Sequence, residues 1–509
     1  MTKPETSTDK PEHISDLRGY IDRLKSLGEI AEIDVEVDWN LELGAITRRC
    51  TENGLPSPLF NRVKDDRDGF RVLAAPASLS SAPGRRLAKV AISLGLPPET
   101  SAGEIVERLS LARQQEAIAP RLVENAAFRT NVRRGDDVDL NRLPVPLIHG
   151  GDGGRFLNTW GTIVARSPDG KWTNWSIARI MLRDKNTMVG IVSPQKHVGR
   201  VHKMWQEIGK PMPFALSLGH DPVIPYFSGM PLPDYVSEAP VIGGYLGEPI
   251  DVAKCAVVDL EVPASSEIVI EGELTVDEMG EEGPMAEYPG YIVPGSRQMR
   301  PIYRVSAMSW RDNAILPVVA AGFPPEENHT CWGIAIAAVV QSELREAGWP
   351  ITACFVPFEG ACHLLVVTVP ADWRDHTSHK SAPDFAQRLG ESVFATRGGT
   401  VVARVLVVTD DVNPSDPGEV LWAIATRVSP GDGEIMFPHL AANPLNAFMT
   451  GDEKRAMVTT KSVLDGLPRD EWGPQETPVR ADFARLYPQE LKDQVETRWT
   501  SHYGLQEPH

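Results

Sequence analysis

The run Glu282-Gly283-Pro284-Met285-Ala286-Glu287, followed by Tyr288-Pro289-Gly290-Tyr291, restricts this chain more than any other segment. A Gly-Pro pair between two carboxylates excludes a regular helix or a central strand, so the run must be a shaped turn. It closes a strand-rich stretch that begins near Ile268, and a turn in that place can aim both acids into one cavity. Two carboxylates at this spacing in an acidic protein are, on their own, more often a solvated loop. A second segment reverses that reading. Asn174-Trp175-Ser176-Ile177-Ala178-Arg179 offers an amide ligand and an arginine at strand-like spacing. An arginine can pair with a substrate carboxylate and keep a neighbouring Glu ionised, which supplies the third member of a site.

Bulk properties narrow the classes. A chain of 509 residues, 42% of them hydrophobic, can bury large cores and should form more than one domain. A net charge of −18 and a pI near 5.2 argue against nucleic acid or an anionic membrane as partner, because both call for a basic face. The opening MTKPETSTDKPEH is polar and lacks signal-peptide character, and apolar runs such as Trp332 to Val340 are too short to span a bilayer. A soluble cytoplasmic protein is the expectation. Cys50, Cys255, Cys331, Cys354 and Cys362 show no CxxC spacing, so reduced and mostly buried thiols are expected.

Residues 1–14 read as a disordered tail, and His13 to Leu27 as an amphipathic helix capped by Ser15. An α+β region over 15–122 includes a helix from Ile105 to Ala117. Over 123–329 strand patterns dominate: Thr162 to Arg166, Met188 to Ser193, Phe214 to Leu218, Val252 to Val258, Glu267 to Glu273 and Ile302 to Trp310. A buried helix over 330–347 should end at Gly348. Strands near Ile351 to Pro357, His363 to Val369 and Thr400 to Val408 then alternate with helices Ala382 to Ser392 and Pro417 to Val428, an α/β layer over 348–470. Residues 471–509 read as a C-terminal tail. The GGDGG run at Gly150–Gly154 is not a phosphate-binding GxGxxG and reads as a loop. His363 directly follows Cys362, and adjacent strand residues face opposite ways, so a Cys-His nucleophile pair is not expected there.

Ordered motifs from about Asp137 to Thr460 carry a resemblance: NWSIAR, SPQKH, GKPMPFALSLGHDP, VSEAPVIGGYLGEP, EGPMAEYPGY, SWRDNAILPV, DDVNPSDPGEVLWAIATR and NPLNAF. The chain resembles the UbiD-like decarboxylases, which use prenylated FMN to remove the carboxylate of aromatic and α,β-unsaturated acids. It looks most similar to the ferulic and phenylacrylic acid branch. The resemblance implies a split β-barrel that binds the flavin, a long helix joining it to a C-terminal α/β dimerisation domain, a homodimer or larger homo-oligomer, and a flavin prenyltransferase as cofactor supplier. It implies Arg179, Glu282 and Glu287 as catalytic residues, with Glu287 donating the proton that replaces the carboxylate. Cofactor contacts would come from Asn174, Ser176, Ile177, Ala178, Arg179, Lys196, His197, Ser228, Met230 and Glu238. Asn174, His197 and Glu238 would bind Mn2+ or Mg2+ at the flavin phosphate, a mixed O/N set suited to such cations. K+ would sit on Trp175, Phe227 and Met230, with Ser228 and Glu238 contributing. The substrate pocket would be lined by Met285, Tyr288, Thr330, Ile334, Asn443 and Leu445.

An organic cofactor is chemically reasonable, because carbon dioxide loss from an sp2 carbon leaves electrons that no ordinary side chain absorbs. Two positions depart from the family pattern. Ala286 stands where many members have Gly, and Asn443 stands where the phenylacrylate branch tends to carry a large aromatic. A short amide enlarges the pocket and adds a polar edge, which favours a fused or heteroaromatic acid of phenazine, indole or pyrrole type over a cinnamate. Two other readings remain: a non-catalytic flavin-binding protein, and a metal-dependent hydrolase using Asn174, His197 and Glu238.

Overall fold

The computed structural model describes residues 12–473 and 475–506. A small mixed sheet of Ile30–Ile33, Ser57–Phe60 and Arg71–Ala74 forms the N-terminal part. Its fourth strand is Ile315–Val318, parallel to Arg71–Ala74, so the division at residue 122 is crossed by a strand from the far end of the expected barrel segment. The central element is a nine-stranded sheet in which every pairing is antiparallel. The C-terminal part is a five-stranded mixed sheet with Leu364–Val369, Arg404–Thr409 and Val458–Asp465 parallel at its centre. The expected mixed α/β architecture around a curled antiparallel sheet is present.

The spine of the central sheet is Ile268–Glu282, paired on one side with Met212–Leu218 and on the other with Gln298–Trp310. It runs nine residues beyond the expected Glu273, because Gln298–Trp310 stays in register with it up to Glu282↔Gln298, across a bulge between Leu274 and Met279. Exposure alternates at its end, with Met279 and Glu281 outward and Gly280 and Glu282 buried, so strand parity turns Glu282 inward. The helix expected over 330–347 begins as a π-helical turn, Asn328–Gly333, and continues as Ile334–Glu346, all but wholly buried in its first two turns. Gly348 follows at φ +83°, a left-handed stop.

Several local expectations are corrected. Asp16, not Ser15, caps the first helix, Leu17–Ser26, by accepting from Gly19 N. The helix expected over Ile105 to Ala117 is Ala102–Ser110, started by a Ser101–Glu104 capping box and followed by a separate 3-10 turn. Residues 1–11 of the expected tail lie outside the described residues. Glu12 and His13 are anchored, Glu12 N donating to Gly95 O and His13 lying between Asp221 and Glu248. The C-terminal tail forms Phe483–Leu486 and Gln489–Arg498, and Arg480 ties it to Glu419 on the Pro417–Arg427 helix. Residues 474 and 507–509 lie outside the described residues. Among the described residues no helix is long and apolar enough to cross a membrane.

A buried carboxylate secures the spine. Glu271 is fully buried and accepts from Ala256 N and Val257 N at 2.8 Å and Val258 N at 3.3 Å. Glu271→Ala removes the shared acceptor of three half-buried backbone donors and is expected to cost roughly 1–3 kcal/mol, read as a fall of a few degrees in Tm. An unchanged Tm would show that the loop finds other acceptors.

Candidate active site

Arg179 sits where the chain leaves the Thr173–Ser176 strand and enters Ile180–Leu182. Its Nε donates to Glu282 Oε1 at 2.7 Å and its Nη2 to Glu282 Oε2 at 3.2 Å. Its Nη1 pairs with Glu287 Oε1. One guanidinium therefore holds both acids of the turn, the expected constellation. Glu282 is fully buried, and Arg300 Nε lies 4.0 Å from it as a second cation. Glu287 keeps 22% of its side chain exposed, so its carboxyl stays in reach of water and of a ligand. Phe156 lies under the Arg179 guanidinium at 5.8 Å. Met285 joins Phe156, Met181, Val189 and Ile302 in a core cluster, so it supports this side of the turn from behind.

The turn is held by the GGDGG run, which sequence reasoning left as an unassigned loop. Asp152 accepts from Ala286 N at 2.9 Å and from His149 N at 3.0 Å. Gly153 N donates to Pro284 O at 2.7 Å. A Cβ on Gly153 would lie 1.9 Å from Gly283 O, so the two backbones touch where only glycine fits. Nothing in the local pattern announces this, since the requirement comes from a segment 130 residues away. An acid inside a glycine run is the one available hint.

The expected cofactor residues gather along the Thr173–Ser176 strand and the starts of two helices, His197–Glu207 and Glu238–Leu246. Glu238 is buried. Its Oε1 accepts from Asn174 Nδ2 at 2.8 Å, its Oε2 accepts from Trp175 N at 2.7 Å, and His197 Nδ1 stands 3.5 Å from Oε1. Burial pushes the Glu238 carboxyl above its ordinary value, partly offset by His197 and Trp175 N. Asn174 Oδ1 accepts from Ser176 Oγ at 2.6 Å. Cation binding by Asn174 calls for the reverse amide orientation, because a metal takes the oxygen. His197 also faces Asp234 at 3.4 Å, an acid that sequence reasoning did not name. Among the described residues no three His, Cys, Asp or Glu side chains cluster as a metal site, and the set here is one Glu, one His and an amide.

Ser228 ends the Ile224–Ser228 helix, and its Oγ lies 3.0 Å from Thr162 Oγ1. The Phe227 and Met230 carbonyls accept backbone N–H groups, Met230 N at 3.1 Å and Leu232 N at 2.8 Å respectively. Ile177 N donates to Ser228 O, which joins the two segments, and Ala178 packs against the barrel core. Lys196 is exposed as a residue, but its ammonium is folded in, 4.9 Å over the Trp332 ring. Surrounding protein lowers its pKa by desolvation.

The proposed pocket residues divide. Tyr288 is buried edge-on to Trp332 at 5.3 Å and beside His363 at 5.8 Å, and Asn443 Nδ2 donates to its hydroxyl at 3.0 Å. Asn443 Oδ1 accepts from Leu445 N, so the amide shapes its own turn as well as meeting Tyr288. Thr330 donates its hydroxyl to Ala77 O at 2.7 Å, so its one O–H is not available to donate to a ligand. Ile334 is fully buried and Leu445 partly so.

Three family models cover the chain in order. The 3-octaprenyl-4-hydroxybenzoate carboxy-lyase N-terminal domain matches residues 21–109, its Rift-related domain 121–324 and its C-terminal domain 329–466. The chain belongs to the UbiD family. It is 39% identical over 490 residues to a pyrrole-2-carboxylic acid decarboxylase of Pseudomonas aeruginosa, covering 96% of this chain and 98% of the relative. It is 36% identical over 496 residues to ferulic acid decarboxylase 1 of Saccharomyces cerevisiae, with coverage of 96% and 98%. Among solved structures it is similar to the UbiD-class enzyme HmfF from Pelotomaculum thermopropionicum in complex with FMN. That match has a TM-score of 0.78 and 26% identity, and covers 92% of this chain and 98% of that one. An evolved dimeric form of the same enzyme, in complex with prFMN, gives 0.76 and 25%, covering 94% and 98%. Within the UbiD family, the shared guanidinium and the backbone contact at Gly153 are the parts of the site that this structure defines most sharply.

That contact is testable. Gly153→Ala is expected to displace the turn and lower kcat at least about tenfold. Gly150→Ala, with nothing within 4 Å of its added carbon, should leave kcat unchanged. Equal behaviour of the two variants would contradict the support role.

Proposed function

We propose that the chain is a prenylated-FMN-dependent decarboxylase of an aromatic or heteroaromatic acid. The single observation that carries this is one guanidinium, Arg179, shared between a buried Glu282 and a partly open Glu287. When bound, the prenylated flavin supplies the electron sink that carbon dioxide loss requires. Arg179 orients the substrate carboxylate and Glu287 together. Because its charge is already divided between two acids, it does not hold the departing carboxylate so tightly that the ground state is favoured over the transition state. Glu287 rests as the carboxylate paired with Arg179; it takes a proton from water through its open side and delivers that proton from its carboxyl oxygen to the carbon that lost the carboxylate.

The residues present suit the cofactor. A flavin phosphate needs donors and cations, and Lys196 stands at the start of the His197–Glu207 helix, whose first backbone N–H groups lack intrahelical partners. Asn174, His197 and Glu238 would hold Mn2+ or Mg2+ there, and the cation would relieve the burial strain on the Glu238 carboxylate. Trp175, Phe227, Met230 and Ser228, with Glu238, would hold K+ on their oxygens. A flavin prenyltransferase would be the supplier, and a homodimer through the C-terminal part is the expected assembly.

Asn443 against the Tyr288 hydroxyl gives the pocket a polar edge, which favours a heteroaromatic acid of pyrrole or indole type. A phenylacrylic acid is the second reading, supported by the likeness to ferulic acid decarboxylase 1. To test the function, the chain is co-expressed with a flavin prenyltransferase and carbon dioxide release is measured over a panel of both acid classes. The wild type should release carbon dioxide, and Glu287→Gln should keep the modified-flavin absorption while kcat falls about a thousandfold or more. Near-normal turnover by Glu287→Gln would remove Glu287 as proton donor, and no release from any acid would remove the proposed activity.

A further inference from the structure

We infer that His329 is a positioning residue of this site, an uncharged clamp that fixes the Tyr288-Pro289 peptide, directly after Glu287, to the π-helical turn Asn328–Gly333; the inference rests on the function proposed above. The His329 ring is fully buried. Glu326 N donates to its Nδ1 at 2.9 Å, so the ring proton belongs on Nε2. Nε2 then donates to the Tyr288 carbonyl at 2.9 Å. Burial pushes the imidazole pKa down to about 4, with nearby Arg48 and His363 acting in the same direction. The Glu326 carboxyl, 3.4 Å from Nδ1, is itself pushed up to about 8 by burial and by Glu327. The imidazole is therefore uncharged at neutral pH, with Nδ1 as acceptor and Nε2 as donor, and the Glu326 carboxyl is shifted toward its protonated form.

The consequence falls on Glu287. Its preceding residue is anchored by Ala286 N to Asp152 Oδ1 and its following residue by Tyr288 O to His329 Nε2, each at 2.9 Å. Glu287 lies between these two anchors, and Glu287 N donates to Tyr291 O at 3.0 Å within the same turn. The far side of the clamp is also fixed. Thr330, next to His329, donates to Ala77 O at 2.7 Å, and the thiol of Cys362 meets Asn328 O at 3.8 Å. The π-turn thus joins the loop after Arg71–Ala74, the loop before Leu364–Val369 and the Glu287 turn. π-Turns recur where a helix must present extra side chains at a functional site. With both anchors in place the Glu287 carboxyl can meet the Arg179 fork without an ordering step, which should appear in kcat more than in KM.

Three variants of the full chain, His329→Gln, His329→Asn and His329→Leu, separate the two bonds of the ring. The Gln amide nitrogen reaches where Nε2 lies and keeps the bond to Tyr288 O. Asn reaches only the Nδ1 position and keeps the bond to Glu326 N. The measurements are kcat and KM of the prenylated-flavin enzyme, and amide hydrogen exchange over 285–291 in flavin-free protein. His329→Gln should stay within about threefold of wild-type kcat with normal exchange. His329→Asn and His329→Leu should lose about 10- to 100-fold in kcat at nearly constant KM, with faster exchange at Glu287 and Gly290. Equal loss in the Gln and Asn variants, full activity in all three, unchanged exchange in the Asn variant, or a Gln variant that fails to fold would each overturn the inference. A wild type that decarboxylates nothing would overturn the functional reading instead, and the exchange contrast would still decide His329.

Discussion

The Arg179 guanidinium is the interaction on which the rest of the site depends. Glu282 is fully buried, and an unpaired carboxylate there would be protonated or expelled. The two-point bond from Arg179 keeps it, and the planar fork of an arginine fixes the direction of the remaining Nη1 toward Glu287. Removing either partner of such a pair typically costs about 3–5 kcal/mol, because the other charge is left uncompensated. The functional geometry is thus also the stable geometry. Glu287, the proposed proton donor, is the one left partly open.

The fold serves this arrangement through two rigid supports and one turn between them. The Ile268–Glu282 spine delivers Glu282 by strand parity, and the Thr173–Ser176 strand leads into Arg179 on a neighbouring part of the same sheet. The turn that follows Glu282 cannot be rigid by its own sequence. It is braced from outside by Asp152 and Gly153 on one side and by the first turn of the long buried helix on the other. Asn443 reaches the Tyr288 hydroxyl from the C-terminal part, so the central sheet, the long helix and the C-terminal part meet at this turn.

What the sequence disclosed follows the reach of each interaction. Arg179, Glu282 and Glu287 were legible because a Gly-Pro break and strand spacing are local signals, and the expected strand Thr162 to Arg166 matches residue for residue. The spine was cut short at Glu273 because its second half, rich in acids and glycine, looks like a turn when read alone, while in the fold Gln298–Trp310 holds it extended. Ser15 and Asp16 are equally good caps by type, and only the extended backbone of Asp16, φ −149° and ψ 164°, decides between them. Asp152, Gly153, Asp234 and His329 were missed because each acts on a segment far away in sequence. Thr330 was legible as a position but not as a role, since Ala77 takes its hydroxyl.

The central claim is that the fork of Arg179, and not merely its positive charge, makes this site work. The most direct test is kcat of the prenylated-flavin enzyme for Arg179→Lys, a variant that keeps the charge and removes the two-point geometry. The account predicts a loss of about a thousandfold or more, with flavin still bound. A lysine variant within about tenfold of the wild type would show that a point charge suffices, and would contradict it.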